Sequence, residues 1–200
     1  MSYGGGLIIK YRTIVIDPPW NIGTCAPIQI HSKQLRAKLP YETMSDLELM
    51  NFNIDEFADE NCDLFLWSTK GKIHTALHMI EKWGFHYANL FAWNKKDGIN
   101  HNGVHHVLEF VLYAYKGKNG LNYSKPMDSY FEAKRVRHSQ KPDKFYQLIR
   151  ERTHEPRIDI FARKRHYGFD AWGDQVETQI QIPLLLAFST SDAERMEAKK

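Results

Sequence analysis

Apolar residues in this chain fall into short runs separated by polar stretches, and the spacing within the runs switches between strand-like and helix-like. Tyr11-Arg12-Thr13-Ile14-Val15-Ile16 is a β-branched run that predicts a buried strand. Cys62 to Trp67 is mostly apolar, as a central parallel strand should be. Between them, Thr43 or Ser45 can cap a helix starting near Asp46, and Ile54 to Glu60 reads as a second short helical stretch. Ser68-Thr69 opens a helix from about Lys72 to Trp83 with Ile73, Ala76, Leu77 and Ile80 on one face, and Gly84 stops it. Tyr87 to Trp93 and Val107 to Tyr115 predict a third and a fourth strand, with a polar, Gly-containing loop over Asn94 to Val104. Lys116 to Asn122 reads as a turn. Pro142 suits the first turn of a helix over Asp143 to Thr153, and Arg157 to Arg163 predicts a fifth strand running into a turn. Gln179 to Phe188 reads as a final strand or a dimer contact.

Composition narrows the class. With 200 residues, 42% hydrophobic and 13% aromatic, the chain has enough apolar material for one globular domain, expected over 11–188. A Gly-rich lead-in over 1–10 and a charged tail over 189–200 flank it. The triple glycine is no phosphate loop, because no strand precedes it and no Lys-Ser/Thr follows. A net charge of +3 is compatible with nucleic acid without requiring it. Cys25 and Cys62 are far apart with no CxxC, so reduced thiols are expected. No apolar run is long enough to span a bilayer and Met1 to Gly6 is no secretory signal, so a cytoplasmic protein is expected. His74, His78, His101, His105 and His106 fit no standard zinc spacing, and no metal is expected.

The candidate chemistry sits directly after the first strand, at Asp17-Pro18-Pro19-Trp20. An acid at the carboxyl end of a buried strand lies where open α/β sheets place their ligands. The two prolines stiffen the backbone and remove two N–H donors, which leaves an acceptor-rich edge of the Asp17 carboxylate and the Pro18 carbonyl beside an indole. That edge suits a flat heterocycle bearing an NH2 group, its amine donating two hydrogen bonds and Trp20 stacking on its ring. Asn21 to Pro40 carries Lys33, Arg36 and Lys38 with no acid, and reads as a loop whose cations meet phosphates or simply face solvent. Lys134, Arg135 and Arg137 form a second basic patch. Glu109, an acid inside an apolar run, needs a partner and reads as structural, or as a residue supporting the site from behind, rather than catalytic.

These residues resemble the DPPW-type adenine-N6 methyltransferases. That family includes the catalytic subunit of the eukaryotic messenger-RNA adenosine methyltransferase and many bacterial and phage DNA enzymes. Two later landmarks strengthen the resemblance: Lys141-Pro142 before a helix, and Phe161-Ala162-Arg163 followed by Gly168-Phe169-Asp170-Ala171-Trp172-Gly173. The match runs from about Thr13 to Gln175, with Phe169 where Trp is common and Asp174-Gln175 where Asn-Glu or Asn-Gln is common. The resemblance implies an α/β, Rossmann-like methyltransferase fold, with a mostly parallel central sheet, helices on both faces and a permuted motif order. It implies S-adenosyl-L-methionine as cofactor, bound by Asp17, Lys141, Asp159, Phe161, Arg163, His166, Asp174 and Gln175. Asp17, Pro18, Pro19 and Trp20 would form the catalytic edge. Nucleic acid would be held by Lys33, Arg36, Lys38, Lys134, Arg135 and Arg137. DNA is favoured over RNA because no appended RNA-binding module is evident, and a monomer or homodimer is expected. The alternatives are an RNA adenosine-N6 methyltransferase and a catalytically silent nucleic-acid-binding subunit.

Overall fold

A computed structural model describes residues 9–22, 42–101, 103–118, 120–121, 124–135, 140–174 and 176. Among them, seven strands pair into one sheet: β1 (Tyr11–Ile16), β2 (Ala58–Ser68), β3 (His86–His101), β4 (Val104–Lys116), β5 (Tyr130–Glu132), β6 (Arg157–Ile160) and β7 (Asp170–Trp172). The order across the sheet is β5-β3-β4-β2-β1-β6-β7. Only the pairings of β4, with β2 and with β3, are antiparallel; all others are parallel. The sheet is therefore mostly parallel, as the resemblance implied.

Strand periodicity sends successive side chains to opposite faces, and both faces are covered. Ile14, Ile16, Leu64 and Leu66 enter one core with Leu49 of helix α1 (Asp46–Met50) and with Ala76, Met79 and Ile80 of α2 (Ile73–Lys82). Val15, Phe65 and Trp67 enter the other with Phe145, Tyr146 and Ile149 of α3 (Asp143–Arg150). Ser45 caps α1 in a full capping box with Glu48, and Gly84 follows α2 at φ +73°. His74 and His78 are exposed on α2.

The sequence reading does not predict β5 or β7, and three of the elements it does predict differ in the structure. Only Ile54–Glu56 is a helical turn, and residues 58–60 already belong to β2. Asn94 to Val104 is not a loop: β3 and β4 form one long hairpin with a register shift between Asn94 and Ile99, reversing at Gly103 (φ +76°). Cross-strand pairing rather than burial holds this outer half, which is why its polar sequence hid it. The fifth predicted strand ends at Ile160, because Phe161 turns to φ +60°. Gln179 to Phe188, the expected final strand or dimer contact, and the tail over 189–200 lie outside the described residues.

Candidate active site

β1 and β6 are neighbours in register, Ile16 beside Ile160. After β1 the chain's next strand lies on one side of the pair, and after β6 on the other. Their carboxyl ends therefore flank a topological switch point, the position where open α/β sheets form a ligand crevice. Asp17 sits there, its amide donating to the Ile160 carbonyl at 3.2 Å and its residue only 7% exposed. Pro18 is buried, and its carbonyl accepts the Trp20 N–H at 2.7 Å, which leaves one lone pair free.

Two cations face the Asp17 carboxylate. Lys141 Nζ, just before α3, lies 3.0 Å from Oδ1, and Arg163 Nε, past the end of β6, lies 3.7 Å from Oδ2. Burial pushes the Asp17 carboxyl up, against the pull of Lys141 and Arg163. Lys141 also lies 3.0 Å from Glu109 Oε2 and 4.9 Å above the Trp67 ring. Burial alone would favour loss of its proton, but the two carboxylates more than offset this and raise its pKa. Glu109 is held below its usual range: burial opposes the shift, and Lys141 and Lys95 overcome it.

A small cavity is lined by Asp17, Gln140, Lys141, Tyr146, Asp159 and Phe161, and by residues 162–164 and His166. Its free room is about 10 Å³, space for one water, so a bound nucleoside requires wall residues to move. Asp159 projects from β6 toward α3 and is 1% exposed. Its Oδ2 accepts the Tyr146 hydroxyl at 2.8 Å, while Oδ1 has no hydrogen-bond partner among the described residues. Burial without a directly bonded cation holds its pKa well above the carboxylate range. His166 stacks on Tyr146 with centroids 3.3 Å apart, and burial lowers its pKa to about 4, so its ring is neutral at pH 7.

The later landmarks acquire a steric reason here. Ala162 N–H donates to the Trp172 carbonyl at 2.9 Å, which lays the strand-end turn against β7. A Cβ on Gly173 would stand 2.5 Å from the Ala162 oxygen and 2.7 Å from its nitrogen, so only glycine lets the two segments meet. Phe161 packs on Trp172 and Phe52 at 5.3 and 5.5 Å.

Other expected site residues are placed differently. Trp20 is not an open platform: it is 5% exposed, lies in the α1–α2 core, and donates its indole N–H to the Trp67 carbonyl at 3.1 Å. Its backbone bridges Met44, tying together the two feet of the segment between them. Lys33, Arg36 and Lys38 on that segment, and Arg137 and Gln175, lie outside the described residues. Asp174 is exposed. Lys134 and Arg135 are exposed just past β5, at the sheet edge that carries Asp17, and Arg135 pairs with Asp97 at 3.4 Å. Sequence reasoning missed Tyr146 and the link from Glu109 to Lys141. A tyrosine on the apolar face of α3 and an acid in a buried strand were the available signals. Among the described residues no group of three or more potential metal ligands converges, and no helix is long and apolar enough to cross a membrane.

The profile of the MT-A70 family matches residues 11–175. The chain is 28% identical to the type II methyltransferase M.MunI of a Mycoplasma species, over 87% of this chain and 82% of that protein. It is 26% identical to a putative N(6)-adenosine-methyltransferase MT-A70-like protein of Medicago truncatula, over 84% of this chain. It is 27% identical to the human N(6)-adenosine-methyltransferase catalytic subunit METTL3, over 77% of this chain. The match spans only 26% of each of these two longer proteins.

Proposed function

The chain belongs to the MT-A70 family, and we propose on that premise that it transfers a methyl group from S-adenosylmethionine to the exocyclic N6 amine of adenine in nucleic acid, with DNA as the substrate. The observation that carries the reading is a buried carboxylate at the β1 carboxyl end, directly across from the end of β6 and steadied by Lys141 and Arg163. DNA is preferred because a relative matched over 82% of its own length is a type II methyltransferase. The catalytic domain is taken as 11–188, acting in the cytoplasm as a monomer or homodimer.

The residues around the cavity fit the cofactor chemically. Asp159 Oδ1, without a hydrogen-bond partner among the described residues, can accept a ribose hydroxyl. Lys141, Arg163 and Lys164 line the same cavity and can meet a carboxylate, and Phe161 and His166 supply flat surface. When bound, S-adenosylmethionine supplies a methyl carbon on a positively charged sulfur, an electrophile with a neutral thioether as leaving group.

The protein's part is positioning and electrostatics. The adenine amine is a poor nucleophile because its lone pair is delocalised into the ring. Asp17 and Pro18 accept its two N–H groups, which fixes the nitrogen and stabilises the positive charge that grows on it. The extra proton leaves nitrogen after the new N–C bond forms, and the buried Asp17 carboxylate is its first acceptor. Adenine in a duplex must first be flipped out of the stack. With Trp20 in the core, the face of the flipped base must be covered by other groups. The patch from Lys134 to Arg137 holds the strand by its phosphates.

The test incubates the protein and labelled cofactor with matched DNA and RNA oligonucleotides, then identifies the modified nucleoside by mass spectrometry. N6-methyladenine in DNA is expected. Label confined to RNA would move the substrate, and label on cytosine or on no base would overturn the reading.

A further inference from the structure

Lys141 stands between two carboxylates at equal distance, 3.0 Å from Asp17 Oδ1 and 3.0 Å from Glu109 Oε2. Glu109 Oε1 in turn lies 3.3 Å from Lys95 Nζ, and Asp17 Oδ2 lies 3.7 Å from Arg163. Charges thus alternate along Lys95, Glu109, Lys141, Asp17 and Arg163, with the Lys141 side chain only 10% exposed. The register explains how Glu109 reaches the site. The last β2 residue, Ser68, pairs with Phe110, so Glu109 is the first β4 residue beyond the end of β2 and opposite Trp93 of β3. Its side chain crosses the strand end where Trp67 supports the Lys141 ammonium.

From this arrangement we infer that Glu109 is a positioning residue for methyl transfer, holding Lys141 so that the Asp17 carboxylate stays available to the substrate amine. This rests on the proposed adenine-amine chemistry. The incoming N–H needs a carboxylate oxygen of Asp17, and Lys141 already donates to one of the two, Oδ1. An ammonium given wholly to Asp17 would compete with the amine and oppose the positive charge developing on nitrogen. Glu109 takes part of that charge and offers the ammonium a second acceptor. Lys141 can then stay on Glu109 when the amine arrives, and its charge need not return to water.

Glu109→Gln keeps the size and one acceptor oxygen but removes the charge. At saturating cofactor, kcat for methyl transfer to an adenine-containing oligonucleotide is expected to fall at least tenfold, with KM for cofactor and oligonucleotide within threefold of wild type. Lys95→Met serves as the comparison, because it breaks the tether between Glu109 and β3 and leaves Lys141 its two carboxylates; its kcat should stay within threefold. A Glu109→Gln kcat within threefold of wild type, or an equal fall in Lys95→Met, would show that Glu109 only fastens the hairpin. A second readout needs no substrate. Acylation of Lys141 by an amine-reactive acetyl ester, followed by mass spectrometry, should run at least fivefold faster in Glu109→Gln, because the ammonium loses a counter-charge. An unchanged rate would overturn the inference. Absence of methyl transfer by the wild-type chain would count against the proposed reaction and, with it, the positioning role, while the labelling rate would still decide whether Glu109 holds the Lys141 ammonium.

Discussion

Asp17→Asn is the sharpest perturbation of the site, because it preserves shape and removes one charge. The substrate nitrogen is expected at hydrogen-bond distance from the carboxylate, about 3 Å, and carries about half a positive charge midway through transfer. At an effective dielectric near 20, losing the carboxylate charge removes about 3 kcal/mol of transition-state stabilisation, or about a hundredfold in rate. Removing a single hydrogen-bonding group from a preorganised site has a similar effect, about 3–4 kcal/mol. The fold should survive, since Lys141 retains Glu109 as a partner; thermal unfolding provides the control. The assay is single-turnover transfer of labelled methyl groups to an adenine-containing oligonucleotide, with cofactor affinity measured separately by calorimetry. A folded Asp17→Asn protein with a transfer rate within threefold of wild type would refute the electrostatic argument. A loss explained wholly by weaker cofactor binding would move Asp17 from the reacting amine to the cofactor.

Other expectations follow from single observations. Gly173→Ala drives a methyl group into the Ala162 backbone and should lower stability by about 1–3 kcal/mol, read as a lower midpoint in urea; an unchanged midpoint would mean that the two segments do not pack as described. The Asp159 carboxyl has its pKa raised in the fold, so its contribution is present below the unfolded value near 4 and lost as pH rises. Wild type should therefore lose stability relative to Asp159→Asn between pH 5 and pH 8, and parallel pH curves would contradict this. Changing Lys134, Arg135 and Arg137 together to Ala should weaken DNA binding and reduce the salt slope by up to about 3, whereas an unchanged slope would mark the patch as a solvated face.

The parts of the fold legible in sequence are those whose burial is uniform. β1 and β2 read as apolar runs because both faces are covered, and α2 and α3 read as helices because only one face is. The outer half of the β3–β4 hairpin was illegible because pairing across a turn, not burial, makes it a strand. β5 was missed because three residues carry no period. At the candidate site, Asp17, Lys141, Asp159, Phe161, Arg163 and His166 were each selected by motif, and all six line one cavity. Glu109 was singled out as an acid needing a partner, but the identity of that partner is a fact of register: Glu109 and Lys141 lie 32 residues apart and meet only where β2 stops short of β4. Trp20 was read as facing the ligand because aromatic residues next to acids suggest stacking. Its indole N–H finds the Trp67 carbonyl instead, a tertiary contact that no local pattern encodes.

The most direct test of the account is a crystal structure of the protein with an unreactive cofactor analogue and an adenine-containing oligonucleotide. The account predicts the exocyclic nitrogen of a flipped adenine within about 3.2 Å of both an Asp17 carboxylate oxygen and the Pro18 carbonyl oxygen, with the analogue seated against Asp159 and Phe161. An adenine whose amine lies beyond hydrogen-bond reach of Asp17, or an analogue bound away from the ends of β1 and β6, would contradict it.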